Sequence, residues 1–350
     1  MKRFPLPDLL KGFAVLLIVP VHILETFLDF SGRESVFGKT LLFLGGPIAV
    51  PVFMMIMGYF LAKNQKPFAI NFFRGIKIFI AGLLLNIGLN FHLLLKIQFA
   101  AWQLNPWEYI FGIDIFYFAG LSIVFLSVLK TLKSGREWIA LLLVFAVAGA
   151  TSFVNQKLMV PERNYIFPFI GGTWSWSYFP LFPWLAYPLA GFAFFHFEER
   201  LLAFISRQKT ISGILFIIIL VFVLYFGKQG FTITINLPSY YHHTFWFSIW
   251  AFGVVILWSV FWQFMMNKFP KNHLGEFIMW LGKNITVFYI IQWLIIGNIA
   301  TAIYQTQTLK SYPFWFAGIF SITVLITWLA ERIVQKRIKH ILPIGLPLKK

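Results

Sequence analysis

Five ionisable residues stand close together near the amino end of an otherwise apolar stretch: Asp8, Lys11, His22, Glu25 and Asp29. On a helix advancing 100° per residue, all five fall within an arc of about 100°. Lys11 and His22 are separated by three turns, about 16 Å along one face. The stripe therefore joins a cation at one end to an imidazole deeper in the segment, backed one and two turns further by Glu25 and Asp29. A carboxylate beside an imidazole orients its tautomer and raises its basicity, which is what a general base needs. A lone histidine on such a face reads more simply as a packed residue satisfied by a neighbour's hydroxyl or carbonyl. Four further ionisable groups on the same stripe turn that balance towards chemistry, because charge in hydrocarbon costs at least ~2.5 kcal/mol per group.

The elements that must position these groups are set by composition. The chain has 350 residues, 59% apolar, 20% aromatic and only 12% charged, with a mean hydropathy of +0.78. Soluble domains carry about 25% charged residues, so the fold class is an all-α polytopic membrane protein. Soluble folds, coiled coils and disordered chains are excluded. Apolar windows long enough to cross about 30 Å of hydrocarbon predict about ten spans, near 7 to 30, 41 to 63, 68 to 90, 109 to 130, 137 to 155, 178 to 197, 211 to 227, 244 to 266, 277 to 300 and 312 to 334. The net charge of +17 sorts by side: 22 of the 29 basic residues fall on one face of this topology. By the positive-inside rule that face is cytoplasmic and holds both termini. The excess is therefore a topology signal rather than a nucleic-acid one. Residues 1 to 340 read as one transmembrane domain and 341 to 350 as a basic cytoplasmic tail. The amino end is not a signal peptide, since Asp8, Lys11, His22 and Glu25 interrupt it. Absence of cysteine removes disulfides, thiolate nucleophiles and thiolate metal sites.

Further candidates lie along the same cavity-forming spans. Arg74 and Lys77 enter the third span at i, i+3 as a phosphate-binding rim or as snorkelling anchors. Asn86 and Asn90 serve helix-to-helix hydrogen bonding as readily as substrate contact. Of Glu108 and Asp114 at the outer start of the fourth span, Asp114 is the deeper. Trp176 belongs to an outer loop, Gly171 to Tyr178, that alternates aromatic and small hydroxyl residues, suited to a sugar face or to an interfacial belt. Three prolines between Phe179 and Pro188 should break or kink the sixth span, which makes the segment a candidate cavity wall or, equally, an entry loop or a kinked packing helix. His242 and His243 lack a carboxylate at ligand spacing, so no metal is expected. The ninth span threads Lys283, Asn284, Thr286, Tyr289 and Gln292 through the membrane.

The segment from Arg3 to His22, RFPLPDLLKGFAVLLIVPVH, resembles the opening helix of the transmembrane acyltransferase superfamily, which includes acyltransferase-3 proteins and heparan-α-glucosaminide N-acetyltransferase-like membrane proteins. Members commonly begin with Asp, then Arg-Gly, then an apolar run ending in His. Here these are Asp8, Lys11-Gly12 and His22, with lysine in place of arginine, which keeps the charge but loses the bidentate fork. Pro51, Phe53 and Gly58 are similar to the family's second helix, and FPLFPWLAYPLAGF, Phe179 to Phe192, to the Phe-Pro-Leu-x-Pro-Trp signature of one branch. LGKNITVFYIIQW, Leu281 to Trp293, looks like the family's Gly-Arg/Lys-x-Ser/Thr-x-x-x-Tyr-x-x-His/Gln helix.

The resemblance implies an enzyme moving an acyl group, usually acetyl from cytoplasmic acetyl-CoA, to a hydroxyl or amine of a glycan or lipid-linked sugar on the outer side. His22 carries over as general base or transient acyl carrier, with Glu25 and Asp29 behind it. Asp8 and Lys11 belong to the donor end, joined by Arg74, Lys77 and Lys283. Asp114, Trp176, Asn284, Tyr289 and Gln292 are the acceptor-side candidates. The expected partners are membrane lipid, acyl-CoA and the acceptor, without nucleic acid, in a bacterial inner membrane, and a homodimer is compatible with the chain. A transporter or flippase for a sugar intermediate is the competing class, weakened because only one span is strongly Pro-broken and no matching partner stands in the other half.

Overall fold

A computed structural model describes residues 5–160, 164–268 and 272–341, the last six of these by backbone alone. The basic tail, apart from Ile341, lies outside the described residues, as do Lys2, Arg3, Arg163 and Lys271. The described chain is helical, with two isolated bridge pairs in place of any strand. In order the helices are α1 (Leu6–Phe27), α2 (Phe30–Glu34), α3 (Val36–Gly45), α4 (Val50–Lys63), α5 (Phe68–Leu89), α6 (Phe91–Gln98), α7 (Pro106–Ile110), α8 (Ile115–Leu129), α9 (Arg136–Leu158) and α10 (Phe167–Ile170). They continue as α11 (Leu181–Trp184), α12 (Ala186–Arg207), α13 (Lys209–Tyr225), α14 (Gly227–Ile235), α15 (Leu237–Tyr241), α16 (Phe245–Lys268), α17 (His273–Lys283), α18 (Ile285–Ile303) and α19 (Tyr312–Ile341).

Among the described residues seven helical segments are long and apolar enough to cross a membrane, or eight if one bent pair forms a single span. Each of the ten apolar windows meets a helix, and the difference lies in three of them. The window at 109 to 130 is broken by Asp114, whose carboxylate accepts from the Ile115 amide and starts α8 there. What remains is 15 residues, about 22 Å at 1.5 Å per residue. The windows at 178 to 197 and 211 to 227 fall on α11, α12 and α13, where the chain bends by 110° between Arg207 and Lys209.

Small residues let the helix backbones meet. A Cβ on Gly12 would overlap the backbone oxygen of Ile278, and one on Gly282 would overlap that of Asp8, so α1 and α17 touch backbone to backbone. Gly58 against Pro188 and Gly191 against Met55 do the same for α4 and α12. Gly75 and Gly120 bring α5 onto α8. Such close approach is how helices associate where lipid removes the hydrophobic drive between them. The apolar core divides accordingly. One cluster centres on Trp184, Tyr187 and Phe192 between α4, α8, α9 and α12; a second joins Val19, Ile23 and Phe27 of α1 to Phe288 and Ile296 of α18. Large aliphatic residues on α13 face outwards along its whole length, as expected of a lipid-facing helix.

The α4–α5 corner is tied by one cation. Lys130, at the end of α8, donates to the backbone oxygens of Leu61 and Asn64 and to the Asn64 side chain. These are the carbonyls that the end of α4 would otherwise leave unpaired. Asn71 completes the knot through Asn64 and the Lys66 carbonyl. Burial pulls the Lys130 ammonium below the usual lysine range.

Candidate active site

Between α1, α4, α5, α8 and α18 lies a cavity of about 270 Å³. Lys11, Arg74 and Lys283 line one end of it, and His22, Tyr289 and Gln292 the other. The wall between is apolar, built from Val15 and Ile18 of α1, Phe53, Ile56, Met57 and Phe60 of α4, and Ile78, Ala119 and Ile123 opposite. At 1.5 Å per residue along α1, the two ends are about 16 Å apart.

The cationic end is held by local pairing. Lys11 Nζ sits 3.0 Å from Asp8, one turn back on α1, and 5.9 Å from the centre of the Phe60 ring. Asp8 is only 4% exposed, so a buried carboxylate anchors the ammonium on α1. Lys283 arrives because α17 is pressed onto α1 through Gly282. Arg74 is exposed at the mouth. Lys77, one turn further along α5, is exposed and lies outside the lining.

At the other end His22 Nδ1 lies 3.0 Å from the side-chain amide of Gln292. Its ring centre is 4.2 Å from that of Trp293 and 6.0 Å, edge-on, from that of Tyr289. Thr26 returns a hydrogen bond to the His22 carbonyl, and Tyr312 of α19 donates to the Pro20 carbonyl. Those two contacts steady α1 on either side of the imidazole, beside Pro20, which cannot donate to the helix. With Nδ1 engaged, Nε2 is the ring nitrogen left for a molecule in the cavity.

Tyr289 donates to both oxygens of Asp114, each at 2.8 Å, and stacks on Phe116. Asp114 owes its position to a built loop. Asn86, buried on α5, donates to the carbonyls of Ile110 and Gly112. The Ile113 amide donates to the Trp176 carbonyl, and Tyr178 and Phe179 donate back to Ile113. That pairing carries Phe179 into the cavity wall. Trp176 thus contributes its backbone here, while its ring packs with Trp174 and Tyr165 outside the lining.

The first-helix stripe divides. Asp8, Lys11 and His22 belong to the cavity or its mouth. Glu25 is not the partner of His22: Tyr241 donates to its carboxylate and Arg33 lies close enough to act on its charge. Asp29 lies beyond α1, where it accepts from the Gly32 amide and the Ser31 hydroxyl and so caps α2; those two donors hold its carboxyl below the usual range. Asn284 donates to the Trp280 carbonyl at the α17–α18 junction and is off the wall, whereas Thr286, two residues on, lines it. Trp293 against the imidazole, and the Arg33–Gln305 pair at 3.0 Å beside Glu25, are partners that sequence spacing did not indicate. Trp293 and Gln305 come from far along the chain, while Arg33 stands on α2, directly after α1. His243 is buried between the Tyr240 carbonyl and the Tyr187 hydroxyl, a packed residue. Among the described residues no group of three or more His, Asp and Glu is arranged to hold a metal ion.

No curated protein matches the chain. Cationic mouth, apolar barrel and imidazole lie within one continuous match, since the family model Acyl_transf_3, described as an acyltransferase domain, covers residues 5–332. The chain belongs to the acyltransferase-3 family of membrane acyltransferases.

Proposed function

We propose that this membrane acyltransferase moves an acetyl or other short acyl group from a CoA thioester, entering at the Lys11, Arg74 and Lys283 end, to a hydroxyl or amine of a glycan or lipid-linked sugar that meets it at His22. The observation that carries the reading is His22 itself: it lines the cavity at the end remote from three cations, with one ring nitrogen engaged and the other free. Phosphates of a CoA-type donor suit a cluster of ammonium and guanidinium groups. The long apolar wall suits a slender arm carrying the thioester inwards while excluding water. With the positive-inside bias, the donor end faces the cytoplasm, both termini lie there, and the acceptor is approached from the outer side of a bacterial inner membrane.

In the transfer, Nε2 of His22 takes the proton from the acceptor hydroxyl or amine as its oxygen or nitrogen attacks the thioester carbonyl carbon. The carbon–sulfur bond breaks, and the departing CoA sulfur carries away the electron pair and then a proton. A base held at hydrogen-bond reach contributes about 10²–10⁴-fold to such a step. Tyr289 has its own proton committed to Asp114, so its oxygen faces the cavity as an acceptor and orients an incoming O–H or N–H.

Purified protein in detergent, given acetyl-CoA, is expected to release CoA thiol slowly with water as acceptor and to unfold at a higher temperature when acetyl-CoA is present. A well-folded sample with neither effect removes the proposal.

A further inference from the structure

Gln292 is 1% exposed, and among the described residues its side-chain amide has a single partner, His22 Nδ1 at 3.0 Å. The other end of the amide, the oxygen, is buried without any hydrogen-bond partner. Buried amides are ordinarily satisfied at both ends, so one held only by an imidazole is unusual. It also has a consequence. Among the described residues nothing else holds this amide in one orientation, and a half-turn about its last bond exchanges oxygen for NH₂ at Nδ1.

We propose that Gln292 is a positioning residue for His22 whose amide turns over as the imidazole changes protonation. The amide oxygen accepts from Nδ1–H whenever that nitrogen carries hydrogen, which leaves Nε2 bare to take the acceptor's proton. The same oxygen holds Nδ1–H in the imidazolium that forms once Nε2 is protonated. When Nδ1 is bare, the NH₂ donates to it instead and parks the proton on Nε2. A carboxylate serves only the first two states and an aliphatic side chain none, whereas an amide serves all three. The proposal rests on His22 acting as the base.

Other titratable groups around the imidazole do not take this role. Tyr289 of α18 meets it edge-on while its hydroxyl donates to Asp114 of the α8 cap, and Glu25, on its own helix, accepts from Tyr241 and faces Arg33. Lys11, Arg74 and Lys283 stand at the far end of the cavity.

The test compares Gln292→Leu and Gln292→Glu with the parent protein, reading thiol release from acetyl-CoA across pH. Gln292→Leu is expected to lower kcat by about 30-fold or more with the KM for acetyl-CoA changed less than about twofold, the magnitude of a lost orienting bond to a catalytic base. Gln292→Glu is expected to recover at least about tenfold of that loss and to move the acidic limb of the profile up by about one pH unit or more, because its carboxylate stabilises the imidazolium. A Leu variant with unchanged kcat, or a Glu variant no better than Leu and with an unmoved limb, overturns the proposal. Should Gln292→Leu not fold, the pH profile of Gln292→Glu decides alone. Activity surviving His22→Ala would instead defeat the base assignment itself, so the two failures are distinguishable.

Discussion

Tyr289 donates its hydroxyl hydrogen bond to Asp114, 2.8 Å from each carboxylate oxygen, across 175 residues of chain. The pair joins the polar end of α18 to the cap of α8 on the cavity wall. Tyr289→Phe removes both the wall's hydroxyl and Asp114's main donor. Acetyl-CoA turnover is expected to fall by about 10- to 100-fold, the range for a positioned polar group at a reacting centre, and the protein to lose about 1–3 kcal/mol from a buried carboxylate left short of a donor. Asp114→Asn keeps an oxygen for Tyr289 and for the Ile115 amide and is expected to cost far less. Thermal unfolding and thiol release measured side by side check both.

Donor binding by the cationic mouth is expected to be electrostatic. Arg74→Ala and Lys11→Ala should each raise the KM for acetyl-CoA by about tenfold, as loss of a charge-assisted phosphate contact does. The effect of Arg74→Ala should exceed that of Lys77→Ala, because only Arg74 lines the cavity. For the parent protein KM should climb with ionic strength as the charges are screened; a salt-independent KM would remove the mouth from the donor path.

Gly282 has no room for a side chain, since any Cβ there meets the Asp8 backbone. Gly282→Val is expected to destabilise by about 3 kcal/mol or more, at the upper end of overpacking costs because backbone rather than side chain must yield. Gly213 on α13 has nothing near its Cβ position, and Gly213→Val should unfold within a few degrees of the parent. Detergent-solubilised thermal unfolding separates the two.

Lys130 should matter to stability rather than turnover. Lys130→Met leaves the Leu61 and Asn64 carbonyls at the end of α4 without their donor, and is expected to cost about 1–3 kcal/mol while the KM for acetyl-CoA stays within about twofold, a change far below the tenfold of a charge-assisted contact.

Periodicity and charge made much of this legible before any coordinates. Each of the ten apolar windows meets a helix, though only seven or eight spans emerge among the described residues, and Lys11 and His22 line one cavity at opposite ends because residues three turns apart on α1 share one face. What the pattern could not supply was partners. Glu25 shares the stripe with His22, yet Tyr241, which only tertiary packing brings there, and Arg33, on the short helix after α1, claim its carboxylate. Asp29 belongs to the stripe only if α1 continues through it. In the structure α1 ends at Phe27, and an Asp followed by Ser31 and Gly32 instead has the residues of a helix cap. Lengths failed for a related reason: hydropathy counts apolar residues but does not see Asp114 starting α8, nor the bend between Arg207 and Lys209. Asn284 and Thr286 are two residues apart at a helix junction, and which one faces the cavity is settled by where α17 stops.

The proposed base of the transfer is His22. Thiol release from acetyl-CoA by purified His22→Ala protein, compared with the parent under identical conditions, is expected to fall by about 10²-fold or more, with acetyl-CoA still raising the unfolding temperature of the variant. Full turnover by a folded His22→Ala protein would contradict it.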